Sequence, residues 1–365
     1  MRFWKVLPAA VLLVLTGCGQ FFFKETTPPP SGSGNYLYVA NSLTSTIAGF
    51  SIGTSSVSAV SNSPYSLGVS PSAIAVTPSG NYLYAASLAG AIYAYSIGSG
   101  GALTLSNNGS AVVSQISPVA LKVDPSGNWL IAVDLTPAAY VFSIDSSTGG
   151  LTSEGSVPLD PGVPNHIVFT PNNSLVYVSL GTGGVDILTF SSSTGVLSKT
   201  TQILKPKQTV NADQGLAVDP ASKYLFVAET GLNGVRALSI GTNGALTELS
   251  GSPYATALGP SGVLVDSTGS YVYVANSTAN TVSAFLLSAT GGLTKISGSP
   301  FATGTSPVDL TEDSTDAYVA VACAGGTPDL QVFQILTTTP GALESFATAT
   351  TGTDPTGAAA VVATK

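Results

Sequence analysis

Charged side chains are scarce in this chain of 365 residues: Lys, Arg, Asp and Glu make up 8% of it, and the formal net charge is −8. After the first five residues, Arg236 is the only arginine. Nucleic-acid binding needs a basic surface that neutralises phosphates, so this function is excluded. The acidic balance also repels phosphorylated or carboxylated ligands unless a local cationic pocket offsets it.

Histidine and cysteine are scarcer still, with one His and two Cys in the whole chain. A zinc site made of His and Cys ligands is therefore excluded, and we expect neither a metal nor another cofactor. The sequence also lacks the Gly-x-Ser-x-Gly turn of serine hydrolases and the phosphate-binding loop of nucleotide hydrolases. Four carboxylates lie close together but without the spacing of a calcium loop, so they predict a solvated acidic turn. They are Asp309, Glu312, Asp313 and Asp316.

The first 17 residues have the features of a cleavable export signal. A basic start is followed by an apolar run over residues 6–15 that is too short to span a bilayer. The sequence Leu15-Thr16-Gly17-Cys18 resembles the lipobox of bacterial lipoproteins, in which the cysteine is acylated and becomes the first mature residue. By this resemblance Cys18 is the lipid attachment site. The alternative is an ordinary secretory signal with a chance cysteine.

Acylation at Cys18 would hold the protein on a membrane, because two or three acyl chains make dissociation negligible. Gly19 stands where, by resemblance to known sorting signals, an aspartate would favour the inner membrane. We therefore expect an extracytoplasmic protein of the bacterial cell envelope, with the outer membrane favoured. Residues 18–34 are rich in Pro, Ser and Gly and predict a tether. Residues 35–365 predict one domain, in which Cys323 is a small buried hydrophobe.

A segment of about 47 residues recurs seven times along this domain. One apolar column ends an alternating run in each repeat, at Tyr38, Tyr84, Ile131, Tyr177, Phe226, Tyr273 and Tyr318. A second column follows a turn, at Val57, Leu103, Leu151, Leu197, Leu246, Leu293 and Leu343. Each repeat has room for four short strands, A to D, separated by Pro and Gly turns, and a sheet this small must stack on its neighbours. The sequence therefore predicts an all-β, seven-bladed β-propeller of four-stranded antiparallel blades.

The two ends of the chain complete one blade in this prediction. The domain begins at a strand B, residues 35–40, and ends with an orphan strand A, residues 355–361. We expect the C-terminal strand to join the N-terminal blade, because closing the ring removes an exposed sheet edge.

The repeat also resembles a known family. Tyr-Val-Ala-Asn at Tyr38 and Tyr273, and Thr-Gly-Gly-Leu at Thr148 and Thr290, are similar to motifs of the seven-bladed lactonase family. That family contains enzymes of the 6-phosphogluconolactonase type and merges with propellers of the YVTN repeat type. The resemblance covers residues 35–365. It implies the fold directly, whereas an activity must be argued from the site.

Two further columns show which residues are unusual near the central channel. Two residues into strand A, the blades carry Ala73, Ala120, His166, Gly215, Gly262, Asp309 and Gly357. At the end of strand B they carry Asn41, Ser87, Asp134, Leu180, Glu229, Asn276 and Val321. His166 and Asp309 depart from a rule of small residues and should project toward the channel, three blades apart. Asp134 and Glu229 place a charge where Asn would cap a turn.

The candidate site lies in the fourth and fifth blades, at His166, Asp213, Gln214, Glu229 and Arg236. The resemblance implies a histidine, an arginine and a glutamate in this part of the ring, with Glu229 in the slot of an Asn-Glu-Leu signature. A lactonase needs a base that activates water and a donor for the oxyanion, so His166 and Glu229 are the catalytic candidates. Asp134, Asp213, Gln214, Arg236 and Asp309 are the substrate-binding candidates.

This chain departs from the family at the residues that would bind a phosphate. Gln214-Gly215 stands where the family has Arg-His, and His166 comes one place later than the family's histidine. The predicted function is therefore a lipid-anchored binding or scaffold protein with a degenerate active site. Its expected ligand is an envelope protein, a carbohydrate or a lactone. The alternative is a hydrolase that opens a sugar lactone, with Glu229 or His166 as the base.

Overall fold

The computed structural model describes residues 34–207, 213–326, 328–349 and 357–365. Within these ranges the chain forms seven antiparallel sheets, one for each predicted repeat. The all-β, seven-bladed prediction is confirmed. The export signal, Cys18 and the tether up to residue 33 lie outside the described residues, so those expectations stay predictions.

Each blade has four strands, with A innermost and D outermost. Strands A of blades 2 to 7 are Pro71–Val76, Pro118–Val123, His166–Phe169, Asp213–Val218, Pro260–Val265 and Pro307–Glu312. Strands B of blades 1 to 7 are Tyr36–Asn41, Tyr82–Ser87, Trp129–Asp134, Leu175–Ser179, Tyr224–Glu229, Tyr271–Asn276 and Tyr318–Cys323. Strands C are Thr46–Ile52, Ala91–Ile97, Ala138–Ile144, Val185–Phe190, Gly234–Ile240, Thr281–Leu287 and Leu330–Ile335.

Strands D are Val57–Ala59, Leu103–Leu105, Leu151–Pro158, Leu197–Leu204, Leu246–Glu248, Leu293–Lys295 and Leu343–Ala349. Four blades add a two-residue strand beside strand C, at Tyr65–Ser66, Val113–Ser114, Tyr254–Ala255 and Phe301–Ala302. Single turns of 3-10 helix occur at Asn107–Gly109, Thr230–Leu232 and Thr242–Gly244.

Strand A of blade 1 is the C-terminal strand Ala358–Ala363, so the two ends of the chain close the ring. It pairs antiparallel with the first strand, from Leu37 opposite Ala363 to Asn41 opposite Ala358. Each strand A packs against the strand A of the next blade, and the strand of blade 1 lies between those of blades 7 and 2. The seven inner strands therefore surround a central channel, and every blade has a neighbour on both faces.

The blades are held together by the predicted aromatic column. The hydroxyl of Tyr84 in blade 2 donates to the carbonyl of Gly149 in blade 3 at 3.0 Å, and Tyr38, Tyr177 and Tyr273 make the same contact with the next blade. Gly149 has φ +71°, and a Cβ there would lie 2.5 Å from the ring of Tyr82. The glycine of the C–D turn is therefore required both by its backbone and by the aromatic ring of the preceding blade.

The A–B turns contain a second repeated device that sequence reasoning missed. Asp313 accepts hydrogen bonds at Oδ1 from the backbone N–H groups of Ala317 and Tyr318. Equivalent bonds are made by Asp124, Asp219 and Asp266, and by the hydroxyls of Thr77 and Thr170. The prediction of a solvated acidic turn at Glu312 and Asp313 was wrong, because both side chains are buried. Asp313 is retained inside since it caps otherwise unsatisfied backbone donors.

The register also corrects three positions of the sequence columns. Ala320, and not Tyr318, belongs to the aromatic column of blade 7, because Ala320 pairs with Thr311 as Tyr273 pairs with Leu264. Ala360, and not Gly357, occupies the small-residue position of blade 1, because Ala360 pairs with Ala40 as Ala120 pairs with Val133. Cys323, and not Val321, ends strand B of blade 7 opposite Pro307. Cys323 is buried as expected, and burial raises the pKa of its thiol to about 12.

Candidate functional site

Asp309 lies on strand A of blade 7 and reaches across to blade 1. Its Oδ2 accepts from the backbone N–H of Val361 at 3.0 Å, and its Oδ1 accepts from the N–H of Leu310 at 2.9 Å. Burial raises the pKa of this carboxyl, while the two hydrogen bonds and the Lys122 ammonium oppose the rise. Asp309 thus joins the two strands where the ring closes.

His166 begins strand A of blade 4, and its backbone N–H donates to Ser179 Oγ at 3.0 Å. The imidazole Nδ1 is shielded from solvent and has no hydrogen-bond partner among the described residues. Burial, with a smaller contribution from the Lys122 ammonium, lowers the pKa of His166 to about 4. The ring is therefore neutral at pH 7, and no described hydrogen bond joins it to Glu229 or Asp309.

Lys122 belongs with these residues, although sequence reasoning did not select it. It lies on strand A of blade 3, where its side chain remains exposed between the buried Leu121 and Val123. Although this side chain reaches solvent, the atoms of the surrounding inner strands partly desolvate its ammonium and lower its pKa, and the Asp309 carboxylate opposes this change. The repeat could have singled out Lys122, since the corresponding residues of the other blades, such as Ala75 and Leu264, carry no charge.

Glu229 and Arg236 lie on adjacent strands B and C of blade 5, and both are buried, with 0% and 3% of their surface exposed. Glu229 Oε2 is 3.9 Å from Arg236 Nε, and Glu229 Oε1 accepts from the backbone N–H of Lys207 at 2.8 Å. The sequence placed the two residues near each other, and the structure brings them together.

The Glu229–Arg236 pair continues into a network toward the outer edge of blade 5. Arg236 donates from Nη1 to the Lys205 carbonyl at 3.1 Å and from Nη2 to Glu248 Oε2 at 3.4 Å. Glu248 Oε1 is 2.7 Å from Lys207 Nζ. The pKa of Glu248 is lowered because its bonds to Lys207 and Ser252 and the nearby cations outweigh the effect of burial. We call Lys207, Glu229, Arg236 and Glu248 the blade 5 ion network.

The remaining candidates have backbone or capping contacts. Asp213 opens strand A of blade 5 opposite Glu229. The carbonyl of Gln214 accepts from Ser179 Oγ at 2.6 Å, which links blades 4 and 5. Asp134 is buried and accepts from the backbone N–H of Ser117 at 2.6 Å and of Thr136 at 2.8 Å.

Gly215, next to Gln214, has no room for a side chain. A Cβ on this residue would lie 2.5 Å from the Ser261 carbonyl oxygen and 2.7 Å from Gly262 Cα. Backbone atoms cannot yield as a flexible side chain can, so the inner strands of blades 5 and 6 would have to separate. The histidine that the family resemblance implies at this position cannot be accommodated in the present arrangement.

Two shallow surface hollows, of about 290 and 320 Å³, lie between blades 2 and 3 and between blades 4 and 5, and neither is lined by a candidate residue. Among the described residues, no group of three or more His, Cys, Asp and Glu side chains is arranged to hold a metal ion. In the same part of the chain, no helix is long and apolar enough to cross a membrane.

The family model described as lactonase, 7-bladed beta-propeller, matches residues 23–160 and 165–360. Solved structures with the same fold include a protein from Bacteroides fragilis provisionally named 6-phosphogluconolactonase, at 17% identity and a TM-score of 0.74, covering 92% of this chain and 99% of that one. The periplasmic gluconolactonase of Pseudomonas aeruginosa has 14% identity and a TM-score of 0.69, with 90% of this chain and 99% of that one covered. No curated protein matches the sequence.

Proposed function

The chain belongs to the lactonase family of seven-bladed β-propellers, and from this premise we propose that it is a lipid-anchored binding or scaffold protein of the bacterial envelope whose lactonase site is degenerate. The chain has the fold of the family, but one fold commonly hosts several functions, so the fold does not by itself assign the family's activity to this chain.

The burial of Glu229 is the observation that carries this proposal. A general base must reach the proton that it removes, directly or through one water. The Glu229 carboxylate has no exposed surface, and its two oxygens face the Lys207 backbone and the Arg236 guanidinium. In this arrangement the carboxylate stabilises the interior of blade 5 and is closed to a substrate.

The backbone around Gly215 supports the same conclusion. The resemblance implies Arg-His at positions 214 and 215, and the close approach of Ser261 and Gly262 leaves no space for that histidine. Restoring the family's residues would require blades 5 and 6 to move apart. The loss therefore involves the backbone as well as the identity of the side chains.

A binding role is supported by the surface of the first three blades. The chain has no charged residue from Thr26 to Leu121, a stretch that holds blades 1 and 2 except for the C-terminal strand. Leu43, Leu88 and Leu135 occupy equivalent B–C turns of blades 1, 2 and 3 and are 63%, 51% and 53% exposed. Exposed apolar residues at equivalent positions of neighbouring blades are typical of contact surfaces. An uncharged envelope component, either a protein or a neutral carbohydrate, suits this face better than a charged ligand.

A lactone assay tests the loss of chemistry. The purified protein is offered a panel of neutral and phosphorylated sugar lactones, and proton release is followed. We expect the same rate as in buffer, and no change in Glu229→Gln or His166→Ala. Turnover by the native protein that disappears in either variant would overturn the proposal.

A capture experiment tests the binding role. The native protein and a variant with Leu43→Ser, Leu88→Ser and Leu135→Ser are used as baits for envelope extracts. Leu286→Ser, which changes an exposed leucine on strand C of blade 6, is the control. We expect a component that is retained by the native and control baits and lost by the triple variant. Equal retention by all three would argue against this face.

The envelope address rests on Cys18, which lies outside the described residues. We expect the native protein to incorporate labelled palmitate and to sediment with membranes, and Cys18→Ser to do neither. A labelled Cys18→Ser protein, or an unlabelled native protein, would contradict the lipid anchor.

The second candidate function is lactone hydrolysis with His166 as the base. It is favoured by one observation, the neutral imidazole whose Nδ1 has no hydrogen-bond partner in the described part of the chain. A base with a pKa near 4 is weak at pH 7, which places this function second. In the lactone assay it predicts turnover that His166→Ala removes and Glu229→Gln keeps.

A further inference from the structure

The central channel holds an ammonium group that no described side chain contacts directly. Strand A is the innermost strand of each blade, yet the Lys122 side chain on strand A of blade 3 stays exposed. No hydrogen bond or ion pair is made by this side chain within the described residues. An exposed residue on an innermost strand projects into the channel that the seven strands enclose.

The charged and titratable groups that act on Lys122 agree with this position of its side chain. They are His166 in blade 4, Asp309 in blade 7 and Lys365, which follows strand A of blade 1. Blades 1, 3, 4 and 7 have only the channel in common. The ammonium group therefore lies inside the ring and not on an outer face.

Neither nearby polar side chain satisfies the ammonium by contact. Asp309 uses both carboxylate oxygens on the backbone N–H groups of Leu310 and Val361. The His166 ring has no described hydrogen bond, and its Nδ1 is shielded from solvent. Small residues occupy the equivalent positions of the other blades, at Ala73, Ala120, Gly215, Gly262 and Ala360. Within the described residues, the channel thus contains the Lys122 ammonium and the His166 imidazole, neither of them with a hydrogen-bond partner, beside a wall of small residues.

Ionic and polar groups that are even partly desolvated are costly unless they are paired, so this arrangement favours a ligand that supplies the missing partners. We propose that Lys122 and His166 form a channel site for a small carboxylate that carries a single negative charge. The ammonium balances the charge, and the N–H of the neutral imidazole donates a hydrogen bond. Asp309 across the channel opposes a second negative charge, which favours a carboxylate over a phosphate dianion. This site is independent of the proposed binding face.

The single histidine provides a direct probe, since an untagged protein gives one set of imidazole NMR signals. Sodium acetate is titrated at pH 7 and constant ionic strength while the His166 ring signals are followed. We expect a saturable change of the signals and, at saturating acetate, a pKa of His166 higher than in its absence. A change that stays linear with concentration would overturn the proposal.

Two lysine variants locate the site. Lys122→Met is expected to abolish the saturable change and to raise the pKa of His166, because the repelling charge is gone. Lys295→Met, at an exposed position on strand D of blade 6, should behave as the native protein. A saturable change that persists in Lys122→Met would refute the site. Lys122→Arg keeps the charge and should keep binding, and it decides the question if the Met variant fails to fold.

A phosphate titration tests the charge requirement. Both titrations are made at pH 8, where inorganic phosphate is mostly the dianion, and phosphate is expected to bind more weakly than acetate because Asp309 faces the bound anion. Tighter binding of phosphate would refute the preference for a single charge. The protein concentration and ionic strength are kept equal in both titrations, so that general screening contributes equally.

Discussion

Two pairs of neighbouring blades, 1 with 2 and 4 with 5, have the same architecture but differ in their content of charged residues. The first pair has no charged residue, and its blades are joined by apolar packing and by the Tyr38 hydroxyl on the Gly101 carbonyl. Blades 4 and 5 are joined by the equivalent contact of Tyr177 with Gly244, yet blade 5 also buries Glu229 and Arg236. Charge is therefore not needed to build this propeller, and where it occurs inside it must be satisfied locally.

The largest expected effect comes from breaking the blade 5 ion network. Arg236→Met leaves the Glu229 carboxylate buried beside an apolar side chain, and we expect the free energy of unfolding to fall by about 3–5 kcal/mol. Adding Glu229→Gln should recover most of this loss, since the buried charge is then gone. Urea unfolding of the two single variants and the double variant measures the coupling. A loss below about 1 kcal/mol in Arg236→Met would contradict a closed, charged interior.

The packing between blades that does not depend on charge is tested at Gly149, in the C–D turn of blade 3. Gly149→Ala adds a Cβ 2.5 Å from the Tyr82 ring at φ +71°, so overpacking and backbone strain act together. We expect a loss of about 3 kcal/mol in urea unfolding. Gly68→Ala is the matched control, because its φ is +76° and no atom lies within 4 Å of its added Cβ. Equal stabilities of the two variants would show that the aromatic contact does not hold the blades together.

A carboxylate at the interface of blades 6 and 7 is buried without a full set of hydrogen bonds, and this lowers the stability of the protein. Glu312 accepts from the Ser267 N–H, its Oε1 has no described partner, and burial raises its pKa to about 7. The ordinary pKa of a glutamate side chain is 4.5, so between pH 4.5 and pH 7 the folded protein keeps a proton on Glu312 that the unfolded chain has released. Stability therefore falls as the pH rises through this window, and the full loss is present above pH 7.

Glu312→Gln removes this loss, so we expect the variant to exceed the native protein by about 2 kcal/mol at pH 8 and to match it near pH 4. Thermal melts at the two pH values measure the difference. Glu344→Gln, which changes an exposed carboxylate on strand D of blade 7, should not alter stability at either pH. A pH-independent effect of Glu312→Gln would contradict the raised pKa.

The smallest effect is expected at the aromatic column itself. Tyr84→Phe keeps the ring and removes the hydroxyl that donates to Gly149, so about 1 kcal/mol should be lost in urea unfolding. Blade 5 already has Phe226 in this column, which shows that the ring alone can serve at one interface. Tyr93→Phe, where no hydrogen bond to the hydroxyl is described, is the control. Equal losses of stability in the two variants would show that the Tyr84 hydroxyl contact does not stabilise the blade interface.

The fold was predictable because each repeat has the same pattern of apolar, aromatic and turn residues. Tyr84 and Gly149 recur at fixed spacing, and a small sheet with two apolar faces has to stack on its neighbours. The closing strand was also recognised, but its register was misplaced: Ala360 lies where Gly357 was expected. Short runs of Ala and Val contain no residue that marks the register, so pairing with the first strand decides it.

The site was less predictable, because burial of a polar residue depends on segments that are distant in sequence. Glu229 and Arg236 were expected to be near each other since strands B and C are adjacent. Their enclosure comes from residues 205–207, which follow strand D of blade 4. Lys122 was missed because a lysine among apolar residues normally faces solvent on one side of a strand. Only the closed ring brings it into the range of Asp309.

The sequence alone determined the number of blades, their four-strand pattern and the partner of the C-terminal strand, because these depend on periodic packing that each repeat expresses locally. The tertiary structure alone decided which charged groups are enclosed and which face the channel. That distinction depends on how seven separate segments approach one axis, and the free energy of a charge is set by the atoms that surround it in space.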